Sequence, residues 1–207
     1  MLMKLWEATE DQKNKSNLFK YENFLHKRYK IKFNKNYSKL HDWSIKNPEK
    51  FWNSIWDFSN VKGKKIEKFY KSKELFKNRF FINSKLNFAE NLLSRKDNSK
   101  AITFINENGY KEIRKWNELN LNVGKISFYL KKINIKEKDR VAAYLPNLIE
   151  TVESFLATVS IGAIWSSCSP DFGVNGVIER FAQIKPKLLI LCDRYYYNGK
   201  QINVIDR

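Results

Sequence analysis

Glycine is scarce in this sequence. There are seven in 207 residues, and no two lie closer than Gly173 and Gly176. A loop that cradles a triphosphate needs clustered glycines, because backbone N–H groups must come close to the phosphate oxygens. The lone GxxG at 173–176 is a weak substitute, so these residues hold no phosphate loop. Cysteine is scarcer still. Cys168 and Cys192 have no CxxC partner and no histidine at ligand spacing, which excludes a disulfide scaffold and argues against zinc. That usage fits a reduced, cytoplasmic compartment. The two histidines, His26 and His41, lie far upstream of Ser166, Ser167 and Ser169, and no GxSxG elbow surrounds those serines. A serine hydrolase is thereby set aside. The longest stretch without a charge, Ser154 to Pro170, is 17 residues broken by Gly162, too short for a membrane span. The opening MLMKLWEATEDQKNK turns polar too early for a secretory leader.

Hydrophobic residues make up 43% of the chain and aromatics 15%, enough for a folded core. Lys and Arg number 39 against 22 Asp and Glu, a net charge of +17. Such a charge favours phosphate-bearing partners, nucleic acid among them. The lysines, however, are spread along the whole chain. No zinc-finger spacing or RNP-type motif accompanies them, and the six tryptophans are not interleaved with them as a base-stacking platform requires. Solvated faces account for the charge better than a nucleic-acid partner does.

The pattern changes near residue 99. Before it lies a helical lead-in. Ser16 to Ile31 reads as a helix, and Asn47-Pro48-Glu49 as a helix start with Asn as cap and Pro in the first turn. Phe51, Trp52, Ile55 and Trp56 then form an apolar stripe expected to pack on a neighbouring domain face. Leu86 to Leu93 reads as a short helix. From Ala101 a β-hairpin turns at Asn108-Gly109. A helix from Trp116 to Ile133 precedes an alternation: strand 139–145, helix 148–161, strand 163–168, helix 174–184, strand 187–192. The fold class is therefore α/β, a helical lead-in (1–99) followed by a hairpin and the first βαβαβ part of a parallel sheet (100–207). Ser169-Pro170-Asp171 breaks the second of these strands. It places a loop at the carboxyl edge of the sheet, where open α/β sheets bind ligands.

Five segments carry a family resemblance: IGAIWSSCSPDFG (161–173), DRVAAYLPN (139–147), NFAENLL (87–93), RFAQIKPK (180–187) and YYYNGK (195–200). With LHDWSIKNPEKFW (40–52), they resemble the acetoacetate-using branch of the acyl-adenylate-forming (AMP-dependent synthetase/ligase) superfamily. The register runs from Leu5-Trp6-Glu7 to Gly199-Lys200. Ala8 stands where the family usually has Pro, and Lys115 where it usually has Thr before the helix at Trp116.

The resemblance implies a two-step ligase. ATP, with Mg2+, activates acetoacetate or a similar short acid as an acyl-adenylate, and the CoA thiol then takes the acyl group. It also implies that residues 100–207 open an incomplete adenylate-forming domain, that the phosphate loop and catalytic lysine lie elsewhere, and that this stretch alone is inactive. By resemblance the loop Ser169, Pro170 and Asp171 lies along the pantetheine arm of CoA. Residues at the positions of Tyr197 and Lys200 meet the CoA phosphates; Lys200 keeps the charge and Tyr197 does not. Two plainer readings stand beside these: Asp171 caps the following helix, and Lys200 is merely solvated. Cys168, at the end of an apolar strand, reads as a small buried hydrophobe. Glu150 and Glu153, on one helical face, read as solvating that face. The rival function is a non-catalytic binding module, for nucleic acid or for CoA or protein. No membrane partner is implied.

Overall fold

In a computed structural model the protein is described over residues 5–206. It falls into two compact units, one ending at Lys85 and the other beginning at Leu86.

The first unit is helical. α1 (Glu10–Lys15) starts under a reciprocal cap, in which the Thr9 hydroxyl accepts from the Gln12 N–H and the Gln12 side chain accepts from the Thr9 N–H. Ser16 caps α2 (Asn17–Tyr29), and Asn36 caps α3 (Tyr37–Lys46). α4 (Pro48–Phe58) begins with Pro as expected, but Asn47 does not cap it. The Asn47 side chain instead donates to the Trp43 carbonyl, tying the end of α3. Tyr21, Leu25, Phe33 and Leu40 form the buried centre of the unit, and the Tyr21 hydroxyl shares a 2.6 Å hydrogen bond with Ser54. The apolar stripe of α4 is covered in part within the same unit, with Trp52 still 41% exposed. Trp56 packs 4.9 Å from Phe81 and Trp52 5.7 Å from Phe80, ring to ring. These phenylalanines come from a loop closed by the bridges Lys64 to Lys85 and Tyr70 to Arg79.

The second unit opens with α5 (Phe88–Leu92), capped by Asn87, whose amide also donates to the Val159 carbonyl. β1 (Lys100–Ile105) and β2 (Lys111–Lys115) form the expected antiparallel hairpin. α6 (Trp116–Lys132) follows. Lys115 offers no side-chain cap, but the Glu118 carboxylate accepts its N–H at 2.9 Å, so half of a capping box survives without Thr. Then come β3 (Arg140–Tyr144), α7 (Ile149–Ser160), β4 (Ile164–Cys168), α8 (Val174–Ile184), β5 (Leu188–Leu191) and a second hairpin, β6 (Arg194–Tyr197) with β7 (Lys200–Asn203).

β3 is the central strand of a parallel sheet in the order β4-β3-β5. Side chains alternate across a strand, so β3 serves two cores. Val141 joins Leu119, Val123, Leu130 and Leu156 on the α6–α7 side; Ala142 and Tyr144 join Phe181 of α8 on the other. A strand buried on both faces must be apolar throughout, which is why Val141 to Tyr144 is. α7 ends at Gly162, whose φ of +77° permits the Ala163 N–H to reach back to the Thr158 carbonyl. An added Cβ there would meet the Glu137 side chain at 2.9 Å.

Glu153 does not solvate its helix. Only 3% exposed, it accepts from the Asn122 amide at 2.9 Å. Arg114 Nε stands 2.9 Å from it, off the hydrogen-bond direction but close enough for an ion pair. Burial pushes the Glu153 carboxyl above its ordinary range, and Asn122 and Arg114 offset this only in part. The pair anchors the first hairpin to α7. Arg114 also reaches Glu112 at 3.1 Å and Glu150 at 3.7 Å, so Glu153→Leu leaves it paired and mainly orphans the Asn122 amide. The variant should lower the unfolding free energy by about 1–3 kcal/mol, and adding Asn122→Leu should recover part of that loss in a urea-denaturation cycle.

Asp57, in the first unit, is pushed up by partial burial but pulled further down by Lys65 and Arg28, so its carboxyl sits below the usual 3.8. A lowered folded-state value stabilises the fold above that pH and loses the contribution as pH falls through it. Asp57→Asn should therefore flatten the acid limb of the stability profile below about pH 4, read by denaturation across pH 2–6.

Candidate functional site

Three chain segments leave the carboxyl ends of the sheet, and all three line one cleft of about 510 Å³. Pro146, Asn147 and Leu148 follow β3. Ser169, Pro170 and Asp171 follow β4. Arg194 and Tyr195 to Tyr197 follow β5. The first hairpin adds Phe104, Ile105, Asn106, Glu107 and Tyr110. β3 leads to β4 on one side and β4 leads to β5 on the other, so the topology reverses beside β3. Ligands of open α/β sheets settle at such a reversal. The volume falls in the range of small-molecule sites.

The loop after β4 is held from below. Tyr144, 8% exposed and in register with Cys168 and Leu191, lifts its hydroxyl between the carbonyls of Pro170 and Phe172, 2.8 and 2.9 Å away. Arg180 of α8 lies 4.4 Å over the Phe172 ring and pins the next residue of the turn. Pro170 is fully buried. Ser169 and Asp171 stay exposed at the cleft, where Asp171 accepts from the Ser169 hydroxyl at 2.9 Å and from the Tyr195 hydroxyl at 3.0 Å.

Asp171 does not cap the next helix: Gly173 stands at the cap position of α8, with no side-chain cap. Its carboxylate ties the loop after β4 to the second hairpin instead. Lys200 is not among the cleft-lining residues. It opens β7, exposed and opposite Tyr197. Cys168 is buried, as its strand-end position implied. Burial pushes the Cys192 thiol up. His26 and His41 belong to α2 and α3 of the first unit. Sequence reasoning missed Phe104, Tyr110, Tyr144 and Arg194. One signal for the second hairpin was present in Asn198-Gly199, the same turn dipeptide as Asn108-Gly109.

The family model of AMP-binding enzymes matches residues 91–206, more than half of the chain and every segment of the cleft. The chain belongs to the AMP-binding enzyme family. A second model, the acetyl-coenzyme A synthetase N-terminus, matches residues 37–92. An acetoacetyl-coenzyme A synthetase of Rhizobium meliloti (strain 1021) is 44% identical over 169 residues, covering 81% of this chain and 26% of the relative. An acetoacetyl-CoA synthetase of Xenopus tropicalis is 45% identical over 171 residues, with 80% and 25% covered. Among solved structures, the acetoacetyl-CoA synthetase from Streptomyces lividans superposes with a TM-score of 0.89 at 26% identity, over 99% of this chain and 32% of that one. The chain thus spans about a quarter of the length of the curated relatives it matches.

In this AMP-binding enzyme chain the cleft is aromatic on two sides, with Arg194 as its cation. Among the described residues no group of three or more His, Cys, Asp or Glu gathers to hold a metal ion. No helix among them is long and apolar enough to cross a membrane. Tyr144→Phe removes the hydroxyl that bridges two loop carbonyls and keeps the ring packed. It should cost about 1–2 kcal/mol and speed amide exchange at 169–173, measured by denaturation and hydrogen–deuterium exchange.

Proposed function

We propose that these residues are the amino-terminal portion of an ATP-dependent acetoacetate–CoA ligase and that the cleft receives part of CoA. Residues 1–99 form its acetyl-CoA-synthetase-type lead-in, and residues 100–207 the start of its ligase domain. The observation that carries this reading is the 44–45% identity to proteins named acetoacetyl-CoA synthetase, over stretches covering about four-fifths of the chain. In such a ligase ATP and the carboxylate give an acyl-adenylate and pyrophosphate. The CoA sulfur then attacks the acyl carbon, AMP leaves, and the thiol proton is lost.

The chain's own part in this is binding. The cleft is lined by aromatic side chains, the Arg194 guanidinium and the carboxylates of Glu107 and Asp171, both of which already accept hydrogen bonds. It suits a long ligand whose arm is uncharged and whose anionic far end meets the cations of the second hairpin. Tyr144 fixes the loop of Ser169, Pro170 and Asp171, which lies along the arm. Lys200, exposed on the neighbouring hairpin, attracts the phosphates from outside the cleft. ATP engages groups other than these, because the seven glycines are not clustered as a phosphate loop requires. The 207 residues by themselves therefore bind without adenylating, in a reduced cytoplasmic setting.

Two measurements test this. The purified chain should release no pyrophosphate from ATP and acetoacetate, and release at enzymatic rates overturns the inactivity of this stretch. In a full-length ligase carrying these residues, Lys200→Glu should raise the CoA requirement roughly tenfold, the loss expected when one charge-assisted phosphate contact is reversed, while sparing acyl-adenylate formation. Equal damage to both half-reactions refutes the CoA-side assignment.

A further inference from the structure

Two hairpins that flank the cleft meet through one carboxylate. Glu107, in the turn between β1 and β2, accepts the N–H of Asn198 through Oε2 and the N–H of Gly199 through Oε1, both at 2.9 Å. The two amides are consecutive and sit at the tip of the β6–β7 hairpin. Asn198 and Gly199 have φ of 51° and 69°, so successive N–H groups turn towards the same side. Such an arrangement makes a concavity for an anion. Lys200 follows at once, and Arg194, in the partner strand of this hairpin, lines the cleft.

Glu107 is not needed to hold its own turn. Asn106 does that, its side-chain oxygen accepting from the N–H of Asn108 at 3.0 Å and of Tyr110 at 2.9 Å. Both Glu107 oxygens are instead spent on a hairpin more than ninety residues away. Glu107, Asn198 and Gly199 are all exposed. A tie of this kind is open to water and salt, and exchanges readily.

We infer that the amides of Asn198 and Gly199 form an anion seat, that Glu107 occupies it while no ligand is bound, and that a phosphate ester entering the cleft displaces Glu107 and takes its place. This rests on the assignment of the cleft to CoA, and deepens it by naming the group that a CoA phosphate must replace. Two carboxylate oxygens and two phosphate oxygens present the same paired acceptors to the seat. The ligand therefore binds against a resident competitor, and its apparent affinity is reduced by the fraction of seats already filled.

The test titrates CoA, 3′-dephospho-CoA and inorganic phosphate by calorimetry into the 207-residue chain and into Glu107→Gln, Glu107→Asp and Glu107→Ala, with the Gly199 amide followed by NMR. Glu107→Gln keeps the side-chain length and one acceptor, so it reports even where Glu107→Ala loosens the hairpin. Glu107→Asp keeps the charge but is one methylene too short to fill the seat. All three should bind CoA tighter, by about five- to tenfold for a seat some nine-tenths occupied. In the parent chain CoA should move the Gly199 amide resonance. A gain shared by inorganic phosphate marks a general phosphate seat; a gain confined to CoA, or lost with 3′-dephospho-CoA, marks the ester that occupies it. Equal CoA affinity in all four proteins overturns the seat and leaves the cleft assignment standing. Tightening in Gln and Ala but not in Asp reduces the effect to charge repulsion and also overturns it. Failure of every protein to bind CoA removes the cleft assignment, and the seat with it.

Discussion

A phenolic hydroxyl at the end of the central strand organises the second unit. Tyr144 pairs in register with Cys168 on one neighbouring strand and Leu191 on the other, and its ring is buried against the α8 side of the sheet. A ring so placed must find a partner for its O–H, because an unsatisfied buried donor costs more than a made hydrogen bond contributes. Its partners are the carbonyls of Pro170 and Phe172, where the chain turns out of β4. One satisfied donor thereby fixes the turn that carries Ser169 and Asp171. Asp171, freed from any role at the helix start, reaches Tyr195 and joins that turn to the second hairpin.

The same economy of polar groups recurs around the cleft. Half-buried Arg114 meets buried Glu153 and holds the first hairpin against α7. Asn106 closes its own turn, which leaves the Glu107 carboxylate for a distant one. Each wall of the cleft is thus fastened by a side chain whose partner lies elsewhere in the sequence. The aromatic lining between these fastenings is surface that the fold leaves uncovered beside the Arg194 guanidinium.

Much of the architecture was legible in one dimension. The Asn108-Gly109 turn, the helix at Trp116 and the apolar strands around Val141 and Leu188 all lie where periodicity and turn chemistry put them. These features are local: a pattern of period two or three to four and a dipeptide that tolerates positive φ fix them without knowledge of distant residues. Readings that needed a distant partner fared differently. Glu153 looked like a solvated helix face and is buried, because Arg114 lies 39 positions earlier and only folding brings it near. Asn47 looked like a cap and instead bonds back to Trp43. The α4 stripe, read as a domain-facing surface, meets Phe80 and Phe81 of its own unit and leaves Trp52 exposed.

The sequence by itself determined the order of elements, the loop at the carboxyl edge of the sheet and the likeness to adenylate-forming ligases. It could do so because these depend on neighbours in the chain and on whole motifs. Only the tertiary structure decided which carboxylate caps, which is buried and which bridges two hairpins. Asp, Glu and Asn side chains find acceptable partners in many places. The choice among them is made when segments 24 to 91 residues apart are brought within hydrogen-bond reach.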